Sequence, residues 1–172
     1  MELEERVAAL EARVAALEGT GADAAGTTGV GEGDFWALEG LKRQLDGLGA
    51  EDGGVLFTGA VRLPPGERYE WQYALATESL LGEEGEDWAD RAEPLAALGH
   101  PVRLRLLREI LAGRRTAAEL AELDGLGTTG QIYHHLRQLS GTGWLHPAGR
   151  GRYEVPPARV VPLLVVLTAA RP

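Results

Sequence analysis

The chain has 172 residues, with 17 Lys and Arg against 26 Asp and Glu, and it contains no cysteine. This length and a hydrophobic content of 44% fit one or two small globular domains, and the lack of cysteine excludes disulfides, Cys-ligated metals and a cysteine nucleophile. The acidic start lacks the features of a signal peptide, and no apolar run approaches the roughly 20 residues of a membrane helix, so we expect a cytoplasmic protein without membrane contact.

The first predicted element is an amphipathic helix over residues 1–18. Its apolar residues follow the 4–3 spacing of a heptad, with Val at a and Leu at d: Leu3, Val7, Leu10, Val14 and Leu17. This combination favours parallel two-stranded coiled coils, in which Arg at g faces Glu at e of a second copy. We therefore expect self-association through the last four of these residues, into dimers or tetramers. The alternative is a helix packed on its own chain.

Residues 19–33, rich in Gly, Thr and Ala, are predicted to be a flexible linker. A module over residues 34–87 is predicted to follow, beginning with a helix from the cap Asp34 to Leu45. Two segments of alternating residues then predict a β-hairpin with aromatic side chains on one face: Phe57, Tyr69, Trp71 and Tyr73. This face needs a cover, which could be the helix, a second subunit or a small-molecule effector bound at these four residues.

The two halves of the chain differ in charge. Residues 1–98 carry 7 basic and 21 acidic side chains, a net charge of −14, whereas residues 99–172 carry 10 basic and 5 acidic ones, a net charge of +5. Every basic residue of the second half is Arg, which suits bidentate contact with phosphate or guanine. The asymmetry indicates contact with nucleic acid by the C-terminal half.

Residues 88–172 are divided by Gly and Pro into short predicted helices, one of which begins with the capping box Thr116–Glu119. A helix over residues 128–140 follows, with a buried face made by Ile132, Leu136 and Leu139. A hairpin with Arg in its loop, residues 147–152, and an apolar terminal helix complete the chain. This order predicts a helix-turn-helix with a β wing, so the expected fold class is mainly α with small β (α+β).

Four segments occur in order in this half: Leu95–Leu107, Thr116–Ala121, Gln131–Leu139 and Gly143–Leu145. In this order and spacing they resemble four parts of ArsR-type bacterial regulators. These parts are, in turn, the sequence that begins the DNA-binding domain, the first helix of the helix-turn-helix, the recognition helix and the start of the wing. The resemblance covers residues 92–170. It implies a winged helix-turn-helix fold and a homodimeric repressor that recognises a pseudo-palindromic operator in double-stranded DNA.

In a helix-turn-helix the second helix enters the major groove, and its amino-terminal residues meet base edges. Helix 128–140 and the wing therefore supply the predicted DNA-contacting residues: Thr128, Thr129, Gln131, Tyr133, His134, Arg137, Arg150 and Arg152. Gln131 is expected to pair with adenine, and the three Arg to contact phosphate or, from the wing, the minor groove. Phosphate contact and a solvated helix face are equal alternatives for the remaining helix arginines: Arg103, Arg105, Arg108, Arg114 and Arg115.

The apolar terminal helix is the predicted dimer contact of this half, as terminal helices are in ArsR-type regulators. The contact residues are expected to be Val160, Leu163, Leu164 and Leu167. The alternative is burial of this helix within one subunit.

No catalytic constellation occurs in the sequence, so we do not expect an enzyme. His134 and His135 are adjacent on a helix and point about 100° apart, which disfavours a shared metal ion, and no cofactor is expected. His135 is expected to be packed and hydrogen-bonded. The competing interpretation is a winged-helix protein-interaction module, or an acidic DNA-mimic adaptor, that does not bind DNA itself.

Overall fold

The computed structural model describes residues 35–82 and 87–171, which form seven helices and four strands in an α+β arrangement, as predicted. In chain order these are α1 (Trp36–Leu48), β1 (Gly54–Arg62), β2 (Arg68–Ala76), α2 (Thr77–Leu81), α3 (Ala89–Leu98), α4 (Pro101–Leu111), α5 (Ala117–Ala121), α6 (Thr129–Gly141), β3 (His146–Pro147), β4 (Tyr153–Glu154) and α7 (Pro157–Ala169). None of the described helices is long and apolar enough to span a bilayer. The predicted coiled coil, with Val7, Leu10, Val14 and Leu17, and the predicted linker lie outside the described residues.

The chain divides into two units between Leu38 and Glu39, within α1. The described part of the first unit is the start of this helix. The second unit, Glu39–Pro172, contains both the β1–β2 hairpin and the helices that follow it. The hairpin, which the sequence assigns to a separate module over residues 34–87, therefore belongs to the same unit as the C-terminal helices.

Strands β1 and β2 form the antiparallel hairpin that their alternating residues predict. The register is unbroken along both strands, with Phe57 directly opposite Tyr73 and the two rings 5.9 Å apart. At the turn, the backbone N–H of Leu63 donates to the carbonyl of Glu67 (2.9 Å). The side chain of Leu63 is buried there and joins the hydrophobic core.

The hairpin packs against α7 at a glycine. A β-carbon at Gly59 would lie 2.6 Å from Cγ1 of Val161, which real structures do not allow, so only Gly permits this approach of strand and helix. Val161 itself is buried. α7, which was not among the predicted covers of the hairpin, therefore shields part of it.

The hydrophobic core consists largely of side chains whose helical spacing predicts burial. Three neighbouring helices contribute seven of its fully buried members: Leu106, Leu107 and Ile110 from α4, Leu120 from α5, and Ile132, Leu136 and Leu139 from α6. Each such burial contributes about 1.5–3 kcal/mol against the entropy that folding costs. Helix α6 packs on this core through one side, and its other side is exposed to solvent.

The segment before α5 pairs with the short hairpin of β3 and β4. Thr116 forms an antiparallel bridge with Arg152, and the N–H of Tyr153 donates to the carbonyl of Arg115 (2.7 Å). The sequence did not predict this pairing, because a single bridged residue leaves no alternating pattern. The predicted capping box is confirmed: Oγ1 of Thr116 accepts from the Glu119 N–H (3.2 Å), and a carboxylate oxygen of Glu119 accepts from the Thr116 N–H (2.8 Å).

The terminal helix α7 is buried on one side within its own chain, which corrects part of the predicted dimer contact. Val160 and Leu163 are 1% and 0% exposed, so they belong to the core and cannot contact a second copy. Leu164 packs partly against the same core, and Leu167 is exposed. Only these last two of the four predicted residues are accessible to a partner.

Candidate nucleic-acid interface

Helix α6 begins with a second capping box. Oγ1 of Thr128 accepts a hydrogen bond from the Gln131 N–H (3.3 Å), and Oε1 of Gln131 accepts one from the Thr128 N–H (2.8 Å). The two side chains satisfy backbone donors that lack partners at a helix start.

This capping box corrects the role predicted for Gln131. A bidentate contact with adenine needs both the oxygen and the nitrogen of the amide. The oxygen already accepts from the backbone N–H of Thr128 and from its hydroxyl (3.3 Å). In this conformation Gln131 therefore cannot make the predicted contact. The Thr-x-x-Gln spacing is the signal in the sequence that could have revealed the cap.

The solvent side of α6 carries polar groups without hydrogen-bond partners among the described residues. Ile132, Leu136 and Leu139 form its buried side, and four of the residues predicted to contact DNA are exposed: Thr129 in the first turn, then Tyr133, His134 and Arg137. Tyr133 is 47% exposed, so it contributes little to the core. These exposed groups, a hydroxyl, a phenol, an imidazole and a guanidinium, supply donors and acceptors suited to base edges and phosphates.

The loop between β3 and β4 presents two further arginines. Gly149, Arg150 and Gly151 all have positive φ (81°, 50° and 71°), a left-handed run that turns the chain sharply and that only Gly adopts without strain. Arg150 and Arg152 are exposed and form no ion pair with a described residue. Hydrogen bonds from Thr116 lower the pKa of Glu119, and the nearby charge of Arg152 adds to this effect.

Most of the other arginines, which include Arg114 and Arg115 in the connection between α4 and α5, form hydrogen bonds within the chain, and this favours structural roles over phosphate contact. Their hydrogen bonds go to acceptors on other elements or loops: Arg103 to Gln138 and Ala96, Arg105 to Asp124, Arg114 to Glu109, and Arg115 to Glu67 and Glu154. Arg108 makes no hydrogen bond or ion pair with a described residue.

Arg115 connects the two hairpins. Its Nη2 donates to both carboxylate oxygens of Glu67 (2.7 and 2.6 Å) in the β1–β2 turn, and its Nη1 donates to Glu154 (3.2 Å) in β4. The hydrogen bond with Glu67 raises the pKa of Arg115, outweighing the opposite effect of burial. This contact is not predictable from the sequence, because Glu67 lies 48 residues away and no local pattern joins the two.

His135 lies on the partly buried side of α6 beside two other imidazoles. Its ring centroid is 4.7 Å from that of His100 and 5.7 Å from that of His134. The Nδ1 of His135 is buried and has no hydrogen-bond partner among the described residues, contrary to the prediction. Burial, and then the charges of His100, His134 and Arg103, lower the pKa of His135. Within residues 35–82 and 87–171, no cluster of His, Asp and Glu could hold a metal ion.

Three of the four residues predicted to bind an effector lie together. Phe57, Trp71 and Tyr73 line one cleft of about 600 Å³ beside α7. Tyr69 instead packs against the hydrophobic core and borders a separate cavity of about 40 Å³.

Comparisons of the chain with protein-family models, with curated proteins and with solved structures find no match. The interpretation of the site therefore depends on its own geometry and charge.

Proposed function

We propose that the protein is a sequence-specific transcriptional regulator that binds double-stranded DNA as a homodimer through a winged helix-turn-helix of the ArsR-like type. One observation carries the proposal: Ile132, Leu136 and Leu139 hold α6 in the core, while Thr129, Tyr133, His134 and Arg137 on the same helix are exposed to solvent. The net charge of +5 over residues 99–172 supports a polyanionic partner.

In this mechanism α5 and α6 form the helix-turn-helix, and α6 enters the major groove. Thr129, Tyr133 and His134 on its first turns contact base edges and determine the sequence preference. Arg137, one turn further on, contacts phosphate. Arg150 in the wing loop contacts phosphate or the minor groove, as does Arg152, and these contacts position the protein without selecting a sequence.

A dimer requires a contact surface outside the core. An apolar groove of about 730 Å³ between α4 and α7 is lined by Leu104, Leu111, Leu164 and Leu167, among others. We propose that a second copy covers it, since exposed apolar surface of this kind marks interfaces. Two-fold symmetry then implies half-sites about 34–36 Å apart.

The test begins with selection of binding sites from a pool of random DNA duplexes by the full-length chain, followed by fluorescence anisotropy at about 50 to 200 mM salt. Arg137→Gln, Arg150→Gln and Arg152→Gln should each weaken binding to all duplexes alike and reduce the slope of log affinity against log salt by about 1. Tyr133→Ala should relax the sequence preference instead.

Arg62→Gln is the matched control, because it removes one exposed arginine of β1, which belongs neither to α6 nor to the wing loop. An equal loss of DNA affinity in Arg62→Gln would show that net charge alone attracts the DNA. It would contradict the proposed docking of α6 and the wing loop. A selected site without a two-fold repeat would contradict the dimer. Failure to retain any duplex would favour the protein-interaction module.

A further inference from the structure

A cleft of about 600 Å³ runs between the β1–β2 hairpin and α7. Phe57, Trp71 and Tyr73 form its wall on the hairpin, and α7 lies opposite. Trp71 is 40% and Tyr73 47% exposed, so this aromatic surface is not covered by the described part of the chain. The volume falls in the range of about 300–1,000 Å³ that is typical of small-molecule sites.

The charged residues among the described lining of this cleft are Arg91 and Arg159, and no described Asp or Glu lines it. This contrasts with the net charge of −14 over residues 1–98, which supply the hairpin wall. The guanidinium of Arg159 is therefore the group in this lining that an anionic ligand would meet.

Arg159 is held in place by Trp144 on the floor of the cleft. Its guanidinium carbon lies 5.0 Å from the centroid of the Trp144 ring, a cation–π distance. Trp144 is itself fixed, because it is buried and its Nε1 donates to the carbonyl of Pro94 (2.9 Å). The N–H donors of Arg159 have no hydrogen-bond acceptor among the described residues. The planar guanidinium is therefore held in position with its donors available to a ligand.

We propose that this cleft binds a small planar aromatic carboxylate. Phe57, Trp71 and Tyr73 would stack on the ring, which prefers offset or edge-on contact with other aromatic rings. Arg159 would take the carboxylate, because a guanidinium matches that group with two parallel hydrogen bonds. This inference does not require that the protein bind DNA.

The test uses isothermal titration of the full-length chain with naphthalene-2-carboxylate and with its neutral analogue naphthalene-2-methanol. We expect the carboxylate to bind about tenfold more tightly than the alcohol, since only the carboxylate engages the guanidinium. Arg159→Gln should remove this difference while leaving alcohol binding unchanged, which also shows that the cleft has kept its shape. Trp71→Ala should weaken both ligands, and Arg108→Gln, which removes an arginine from a different groove, should weaken neither.

Equal affinity for carboxylate and alcohol in the wild type would overturn the anionic class of ligand. Binding that survives both Arg159→Gln and Trp71→Ala would place the ligand elsewhere and overturn the site, as would the absence of binding. The titration contains no DNA, so loss of duplex binding in the earlier test and loss of naphthalene-2-carboxylate binding here are separate outcomes.

Discussion

Gln131 stabilises the start of α6 through its side-chain oxygen, which accepts hydrogen bonds from the backbone and the hydroxyl of Thr128. Glu can replace Gln in such a cap, because both carry an acceptor oxygen at the same position, whereas Ala carries none. The same position lies beside the residues that we propose contact DNA, where phosphates would repel an added negative charge. Two substitutions therefore separate capping from recognition.

We expect Gln131→Ala to lower the free energy of unfolding by about 0.5–1 kcal/mol, and Gln131→Glu to change it by less than about 0.5 kcal/mol. Gln131→Glu should nevertheless bind DNA less tightly than Gln131→Ala. Urea denaturation and fluorescence anisotropy measure the two effects. Equal destabilisation by both variants would contradict the capping role.

His135 links stability to pH. The fold lowers its pKa, chiefly by burial, so the unfolded chain takes up a proton at a higher pH than the folded one. Protonation therefore favours unfolding as the pH falls below the ordinary histidine value of about 6.5.

We expect the wild type to lose stability between about pH 7.5 and about pH 5.5, and His135→Gln to lose less over the same interval. Urea unfolding of both proteins at the two pH values checks this. Parallel losses in wild type and variant would assign the pH dependence to other groups.

Local spacing predicted which side of α6 is buried, since Ile132, Leu136 and Leu139 recur at helical intervals. It did not predict the surroundings of His135. The ring that lies nearest to His135 is that of His100, which caps the start of another helix, α4. Such contacts between distant segments leave no periodic trace in the chain.

At the scale of elements, the contact between β1 and α7 depends on Gly59. The strand approaches so closely that a methyl group there would overlap Val161. Val161 is β-branched, buried and part of a helix, so it has little freedom to move aside.

We expect Gly59→Ala to lower the free energy of unfolding by about 1–3 kcal/mol through overpacking. Gly40→Ala is the matched control, because Gly40 lies inside α1 with nothing within 4 Å of a β-carbon. It should leave stability unchanged or raise it by up to about 1 kcal/mol. Chemical denaturation compares the two, and a harmless Gly59→Ala would contradict the packing.

The alternating segments predicted the β1–β2 hairpin, and the Gly, Pro and capping signals predicted the order of helices after residue 88, but not the short helix α2 that follows the hairpin directly. The position of α7 was not predictable in the same way. The stretch from Val160 to Leu167 is apolar at every position and has no polar side to orient it, so periodicity cannot tell burial within the chain from contact with a second copy.

At the scale of the whole described unit, Arg115 joins segments that are far apart in sequence. Its guanidinium reaches the turn of one hairpin through Glu67 and a strand of the other through Glu154. Its side chain is 14% exposed, so solvent screens these contacts less than it screens a surface pair. No local sequence pattern predicts this connection.

We expect Arg115→Lys to lower the free energy of unfolding by about 1–2 kcal/mol although it keeps the charge, because one ammonium nitrogen cannot replace the two guanidinium nitrogens that contact Glu67 and Glu154 separately. Arg114→Lys is the control, since Arg114 is half exposed and contacts one carboxylate. It should cost less than about 0.5 kcal/mol. Thermal unfolding measures both, and equal stability of the two variants would contradict the role given to Arg115.

The contacts of Arg115 with Glu67 and Glu154 also limit how part of this chain could be fused to another protein. A fragment that starts at residue 88 would contain helices α4 to α7 but would lack Glu67 and the buried side chain of Leu63. Transplanting the helices of residues 88–172 onto another protein would therefore require the tip of the β1–β2 hairpin as well, as a graft of two separate stretches of chain.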